Sequence, residues 1–204
     1  MPFKTTPDPA FPSKPNPKPK QHTPSSSSSS KPDPSTGPVF FWHPHDGHGY
    51  LGQWYHSPFS VDGDTYATAE MYMMVQKARL FRDEDVARKM LNTTDPKRHK
   101  ALGRQVKGFE GGVWDEHKLS IVEQANYHKF TISEDEADLR KMLLATAERE
   151  LVEASPLDRV WGVGFAEKNA EANRARWGQN LLGKALMNVR GRLRAEVRKG
   201  YFEE

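Results

Sequence analysis

The sequence predicts a mainly helical fold: one multihelical domain with a few short strands over residues 39–204, preceded by a disordered proline- and serine-rich tail over residues 1–38. Three observations lead there. Eleven of the 15 prolines and the Ser25–Ser30 run fall in the first 38 residues, which hold almost no apolar side chains. Residues 66–81 carry apolar groups on nearly every side of a helix, the pattern of a buried one. Leu182, Leu186, Val189, Leu193 and Val197 then repeat at helical spacing up to Gly200.

Taken in order, the tail cannot bury enough surface to offset the entropy of ordering it. Stretches such as Pro15-Asn16-Pro17-Lys18-Pro19 favour polyproline II. Such a tail is either plain solvated chain, a ligand for an SH3- or WW-type partner, or a phosphorylated regulatory arm. Val39-Phe40-Phe41-Trp42 is β-prone, and His43 to Gly49 forms a loop rich in Gly and His. The buried helix over 66–81 follows. Asp95-Pro96 is an N-cap followed by proline at the first helical position, so a helix of about ten residues should begin there. Residues 115–131 align Leu119, Val122, Asn126 and Phe130 on one stripe. Ser133 with Glu136 reads as a capping box ahead of Leu139, Met142 and Leu143. Leu151-Val152 and Val160 to Gly164 are short apolar pieces before the last helix.

Charge and composition narrow the chemistry. The tail holds five Lys and two acids; the remaining residues hold 25 basic and 25 acidic groups. The excess behind the pI of 9.0 therefore lies in the tail, and the domain lacks the broad basic surface of non-specific phosphate binding. The chain has no Cys, which excludes disulfides, thiolate metal sites and Cys nucleophiles. No run is long and apolar enough to span a bilayer, and MPFKTTPDPAFP lacks the apolar core of a signal peptide. A cytoplasmic or nuclear location is expected. His43, His45 and His48 have no partners that would make them a metal site, so they read as ordinary loop histidines, and neither a metal nor an organic cofactor is expected.

Polar residues interrupt the apolar pattern at a few places. Glu70 and Lys77 are nearly two turns apart, so they leave one face of the buried helix about 10 Å apart along its axis. That is too far for an i,i+4 ion pair and suits two groups converging on something between them, over Met73 and Met74; the alternative is that both reach solvent or pair with other charges. Asn126 breaks the stripe of the next long helix, with Lys129 beside it. Asp158, Arg159 and Trp161 share one turn. In Trp177-Gly178-Gln179-Asn180, Asn180 can cap the last helix, and its Gly neighbours let backbone come close to a ligand at a helix N-terminus.

These segments resemble the NADAR (YbiA-like) family. The matching stretches are Phe41-Trp42, Gly63 to Phe81, Leu102 to Val106, Asn126 to Phe130, Leu143 to Thr146, Leu151 to Gly164 and Trp177 to Leu186, in order over about residues 39–197. The resemblance implies a mostly helical fold and an N-glycosidase acting on an N-ribosyl bond. Two substrate classes come with it: ADP-ribose on guanine bases, free or in nucleic acid, and the phosphoribosylamino intermediates of riboflavin synthesis. A non-catalytic ADP-ribose-binding module is the rival reading. The resemblance points to Glu70, Lys77, Trp114, Asp158 and Trp161 as the functional positions, supported by Asn126 and Arg104.

Cleaving an N-ribosyl bond builds positive charge at the ribose C1 and requires a proton on the departing nitrogen. Glu70 is assigned the acid–base role. Asp158 activates water or anchors ribose hydroxyls. Lys77 acts as an amine nucleophile if desolvated, and otherwise as a cation on a phosphate or hydroxyl. Trp114 and Trp161 stack on the base, with Trp42 and Asn180 as further substrate contacts. Arg104 and Lys129 take phosphate oxygens.

Overall fold

The computed structural model describes residues 36–200. The expectations of disorder and of an SH3- or WW-type partner for the tail thus fall almost wholly outside the described residues. Strand β1 (Val39–Phe41) forms where the β-prone run was expected and pairs in parallel with β4 (Leu151–Glu153), placing Phe41 opposite Glu153. A hairpin of β2 (Phe59–Val61) and β3 (Asp64–Tyr66) turns on Asp62 and Gly63, both at positive φ. Two such residues, with Gly second, are what a tight two-residue hairpin requires.

The buried helix is α1 (Ala69–Leu80), capped by Thr68, whose hydroxyl accepts the Met71 N–H at 3.1 Å. Ala69, Met71, Val75 and Ala78 have essentially no exposed surface. Helix α2 (Glu84–Leu91), capped by Asp83, was not anticipated. Helix α3 (Pro96–Gly103) starts at Pro96 as expected, and the Asp95 carboxylate accepts the Lys97 N–H at 2.9 Å. Helix α4 (Gly111–Thr131) is the long central helix and starts four residues before the apolar stripe suggested.

The capping box expected at Ser133 does not form. Ser133 is buried and its hydroxyl donates to the Lys129 carbonyl at 2.6 Å, while Asp135 takes the N-cap position of α5 (Glu136–Ala145) and Glu136 pairs with Arg140. A hydroxyl enclosed beside a free helix-end carbonyl satisfies that carbonyl first. The apolar piece over residues 160–164 forms bends and irregular backbone. A short α6 (Glu167–Ala170) and a 3-10 turn lead into α7 (Leu181–Gly200), of which Gly200 is the last residue. α1 packs on α2, α3 and α4, and α4 packs on α5 and α7. Leu182, Leu186, Val189 and Leu193 of α7 enter the main core. No helix among the described residues is long and apolar enough to cross a membrane.

Candidate active site

The first turn of α1 sets the site. The Glu70 backbone N–H, which a helix start leaves without an internal partner, donates to the Gln53 carbonyl at 3.0 Å. This ties α1 to the 50–55 loop. The Trp54 side chain of that loop lies near enough to the Glu70 carboxyl to favour its ionised form. Burial nevertheless pushes the Glu70 carboxyl up to about 7, with the charge of Asp158 adding to the rise and that of Lys100 opposing it. Glu70 and Asp158, predicted as a pair, are therefore within electrostatic reach of each other.

The loop is held from beneath by two residues of α4. Lys129 is fully enclosed, and its ammonium nitrogen donates to the carbonyls of Tyr50 and Gly52. Burial lowers its pKa to about 7; as a neutral amine it still has two N–H groups for those two carbonyls. Asn126, equally enclosed, donates to Gln53 Oε1 at 3.1 Å and to the Val122 carbonyl at 2.8 Å. Both were expected to touch substrate. Their geometry instead makes them props of the loop carrying Gln53 and Trp54, and an enclosed Lys129 has no face to offer a phosphate.

Asp158 sits in the turn after β4, where its Oδ1 accepts the N–H groups of Val160 and Trp161, each at 2.8 Å. The Trp161 carbonyl in turn accepts the Leu182 N–H at 3.1 Å, linking this turn to α7. Asn180, at positive φ, stands at the N-cap position of α7, where its carbonyl accepts the Lys184 N–H at 3.0 Å, but its side chain is neither turned to the helix nor free for a ligand. Its amide donates to the Leu151 carbonyl at 2.9 Å, and its Oδ1 accepts the Glu153 N–H at 3.1 Å, so it clamps β4. The neighbouring glycines make room for protein backbone rather than for a ligand. A Cβ at Gly178 would lie 2.3 Å from the Arg159 carbonyl oxygen, and one at Gly183 would lie 2.0 Å from the Leu151 carbonyl oxygen and 2.5 Å from the Asn180 amide. Gly183→Ala is accordingly expected to destabilise the fold by several kcal/mol, since neither strand nor clamp can yield. A thermal melt within about 2 °C of the parent protein would contradict this packing.

The clamp presents a residue the sequence reading passed over. Burial, together with Asp158 and Glu70, pushes the Glu153 carboxyl up to about 8. The signal was present: Leu151-Val152-Glu153-Ala154 is an apolar strand interrupted by one carboxylate.

Lys77 lies half-buried at the far end of the same face of α1. It donates to the Gly103 carbonyl at 3.1 Å, and its nitrogen sits 4.3 Å from the Phe109 ring centre and 5.5 Å from that of Trp114. Burial lowers its pKa. No carboxylate pairs with it, so the view that Glu70 or Asp158 neutralises Lys77 finds no ion pair among the described residues. Trp114, placed from spacing alone, thus does meet Lys77. The aromatic Phe109 and Trp54 beside these groups are about half exposed.

Arg104 caps the end of α3 and is exposed. With Lys97 and Lys100 it falls at i, i+3 and i+7, a stripe of like charge along one helix face. Such a stripe costs helix stability unless something neutralises it, and none of the three closes an ion pair among the described residues. Lys100 is the member whose charge reaches Glu70. Trp42 stacks on His43 with ring centres 3.8 Å apart and borders a cavity of about 150 Å³ with Phe40, Asp46, His48 and Glu167. A larger cavity of about 400 Å³, between Phe81, Asp83, Lys107 and Gly108, contains none of the predicted site residues.

Residues 40–194 match the model of the NADAR domain. The chain is 39% identical to N-glycosidase R617 of Acanthamoeba polyphaga mimivirus, covering 69% of this chain and 85% of that one. It is 29% identical to riboflavin biosynthesis protein VVA0006 of Vibrio vulnificus, over 76% of this chain but 38% of that longer protein. The NMR structure of the Escherichia coli protein YbiA superposes with a TM-score of 0.64 at 31% identity, covering 78% of this chain and 86% of that one.

Proposed function

Since this chain belongs to the NADAR domain family and is a hydrolase of N-glycosidic bonds, we propose that it removes ADP-ribose from guanine bases by cleaving the bond between the ribose C1 and the base nitrogen. What supports the reading is that one face of α1 bears both kinds of group the reaction needs. Glu70 and Asp158 are carboxyls in electrostatic reach, and Lys77 is a desolvated amine with no ion-pair partner among the described residues, beside aromatic rings. The carboxyls serve the proton transfers and the charge at C1. Trp114 and Phe109 beside Lys77, and Trp54 beside Glu70, offer faces for a purine, where stacking contributes roughly 1–3 kcal/mol per base. The stripe of Lys97, Lys100 and Arg104 spans about 10 Å and suits a diphosphate better than a single phosphate. Asn126, Lys129 and Asn180 support the site from behind, and Trp161 fixes the turn that carries Asp158.

A non-catalytic reader has no use for desolvated acid and amine groups, which lower stability. The second reading, hydrolysis of phosphoribosylamino intermediates of riboflavin synthesis, draws on the name of the Vibrio vulnificus relative. These substrates bear one phosphate, and the length of the cation stripe favours two. The test is direct. Full-length protein and a variant lacking residues 1–38 are incubated with guanine-linked ADP-ribose and, separately, with the riboflavin intermediate. The expected result is a higher kcat/KM on the ADP-ribosyl substrate, falling with salt, and retained without the tail. Faster cleavage of the riboflavin intermediate would transfer the assignment to the second reading.

A further inference from the structure

We propose that Glu153 is the general acid of this site: its carboxyl holds the proton that the departing nitrogen takes as the C1–N bond breaks. The inference rests on the N-glycosidase reading and adds a third carboxyl with its own role. Three separate segments bring carboxyls together: Glu70 from the first turn of α1, Glu153 from the end of β4, and Asp158 from the turn that follows. Each of the other two acts on Glu153. Carboxyls in such reach do not all ionise near neutrality, because like charges oppose one another.

Hydrogen bonding decides which one keeps the proton. Glu70 has help in ionising, from Trp54 and the Lys100 charge. Asp158 Oδ1 accepts two backbone N–H groups. Glu153 has neither. Its Oε2 is enclosed and without a hydrogen-bond partner. Among the described residues the charges that act on it are those of Asp158 and Glu70, both negative. The other elements packed on β4 add none: β1 brings Val39, Phe40 and Phe41, and the start of α7 brings the uncharged Asn180. A buried carboxyl of this kind favours its neutral form, and a neutral carboxyl is a donor in need of an acceptor. The leaving nitrogen is such an acceptor.

The backbone of Glu153 is fixed for that purpose. Its N–H donates to Asn180, its carbonyl accepts the Val163 N–H at 3.0 Å, and β1 flanks it opposite Phe41. In the reaction the C1–N bond breaks with its electron pair passing to nitrogen, which takes the Glu153 proton. As it does so the Lys77 amine bonds to C1 and passes its surplus proton to Glu70. In the second half water bonds to C1 and gives a proton to Glu153, the C1–Nζ bond breaks with its electron pair returning to nitrogen, and Lys77 recovers its proton from Glu70, so that the site is reset and one water is consumed per bond cleaved.

The test uses full-length protein and Glu153→Gln. The expected result is a fall in kcat of about 100-fold with little change in KM. The wild-type decline of kcat/KM above about pH 8 should vanish in the variant. Side-chain carbon-13 NMR of glutamate-labelled protein should show one carboxyl titrating near pH 8, absent from Glu153→Gln, whose melting temperature should equal or exceed that of the wild type. Turnover within about threefold of wild type, or a Glu153 carboxyl that titrates below about pH 5, would overturn the proposal. If the wild type cleaves no N-ribosyl bond, the N-glycosidase reading fails, while the carbon-13 titration still decides whether Glu153 holds a proton.

Discussion

Glu70→Gln is expected to lower kcat by about 10²–10⁴-fold, with little change in KM, while making the folded protein more stable at pH 8. Both effects have one cause. The Glu70 carboxyl is held up at about 7 by burial against an ordinary value of 4.5. Between these values the folded protein keeps a proton that the unfolded chain releases. The folded state then binds more protons, so its stability falls as pH rises through the window. Below about pH 4.5 the term is fully favourable; above about 7 it is lost. Glutamine removes the titration, so the variant should melt a few degrees above wild type at pH 8 and show little difference at pH 4. In catalysis, the group that accepts the nucleophile's proton must be ionised. Wild-type kcat/KM should therefore climb through about pH 7, and that limb should be missing from the variant. Measuring melts and pH–rate profiles on one preparation links the two. Near-normal turnover would remove Glu70 from the chemistry, and an unaltered melt at pH 8 would mean its carboxyl is not desolvated.

The elements that could be read from sequence are those whose cause is local. Asp95, read as a cap, accepts the Lys97 N–H two residues on; Thr68, taken as part of the helix over 66–81, is the cap of α1, three residues from the Met71 N–H it accepts. The all-apolar surface of α1 needs no partner to be recognised as buried. The Asp62-Gly63 hairpin and Asp83 as the cap of α2 were local too, and their turn and cap chemistry was legible without being used. Ser133 was misassigned because its partner depends on burial, which turned its hydroxyl toward Lys129. The site was legible as residue types and opaque as contacts. A polar residue breaking an apolar stripe meets either a ligand or buried backbone, and periodicity does not separate them. For Lys129 the deciding partners are the carbonyls of Tyr50 and Gly52, 79 and 77 residues away. The Asn180 side chain likewise answers to Leu151 and Glu153 rather than to its own helix. Glu153 stood in view as the single carboxylate of an apolar strand; its meaning came only from the segments that fold Glu70 and Asp158 toward it.

Lys77→Met should abolish turnover, and borohydride added during wild-type turnover should trap a covalent adduct on Lys77. The argument begins with desolvation. Half-buried against Phe109 and Trp114, Lys77 has its pKa lowered, and a larger share of the side chain is the neutral amine that attacks carbon. A paired carboxylate would reverse this by raising the pKa. Instead the nitrogen donates to the Gly103 carbonyl, which orients the amine without adding a negative charge. Attack at C1 with departure of the base, followed by ring opening, gives an imine that water then hydrolyses, dividing one difficult displacement into two easier steps. Reduction fixes the imine as a stable amine, measurable by mass spectrometry and expected in the peptide spanning residues 67–79. Lys77→Arg separates the two roles a cation can play here. It keeps the positive charge but cannot act as a neutral nucleophile, so the covalent route leaves it inactive with its melt unchanged. An orienting role leaves it substantially active. An active Lys77→Arg protein together with no trapped adduct would rule the imine out and leave Glu70 and Asp158 to direct water onto C1 in a single displacement.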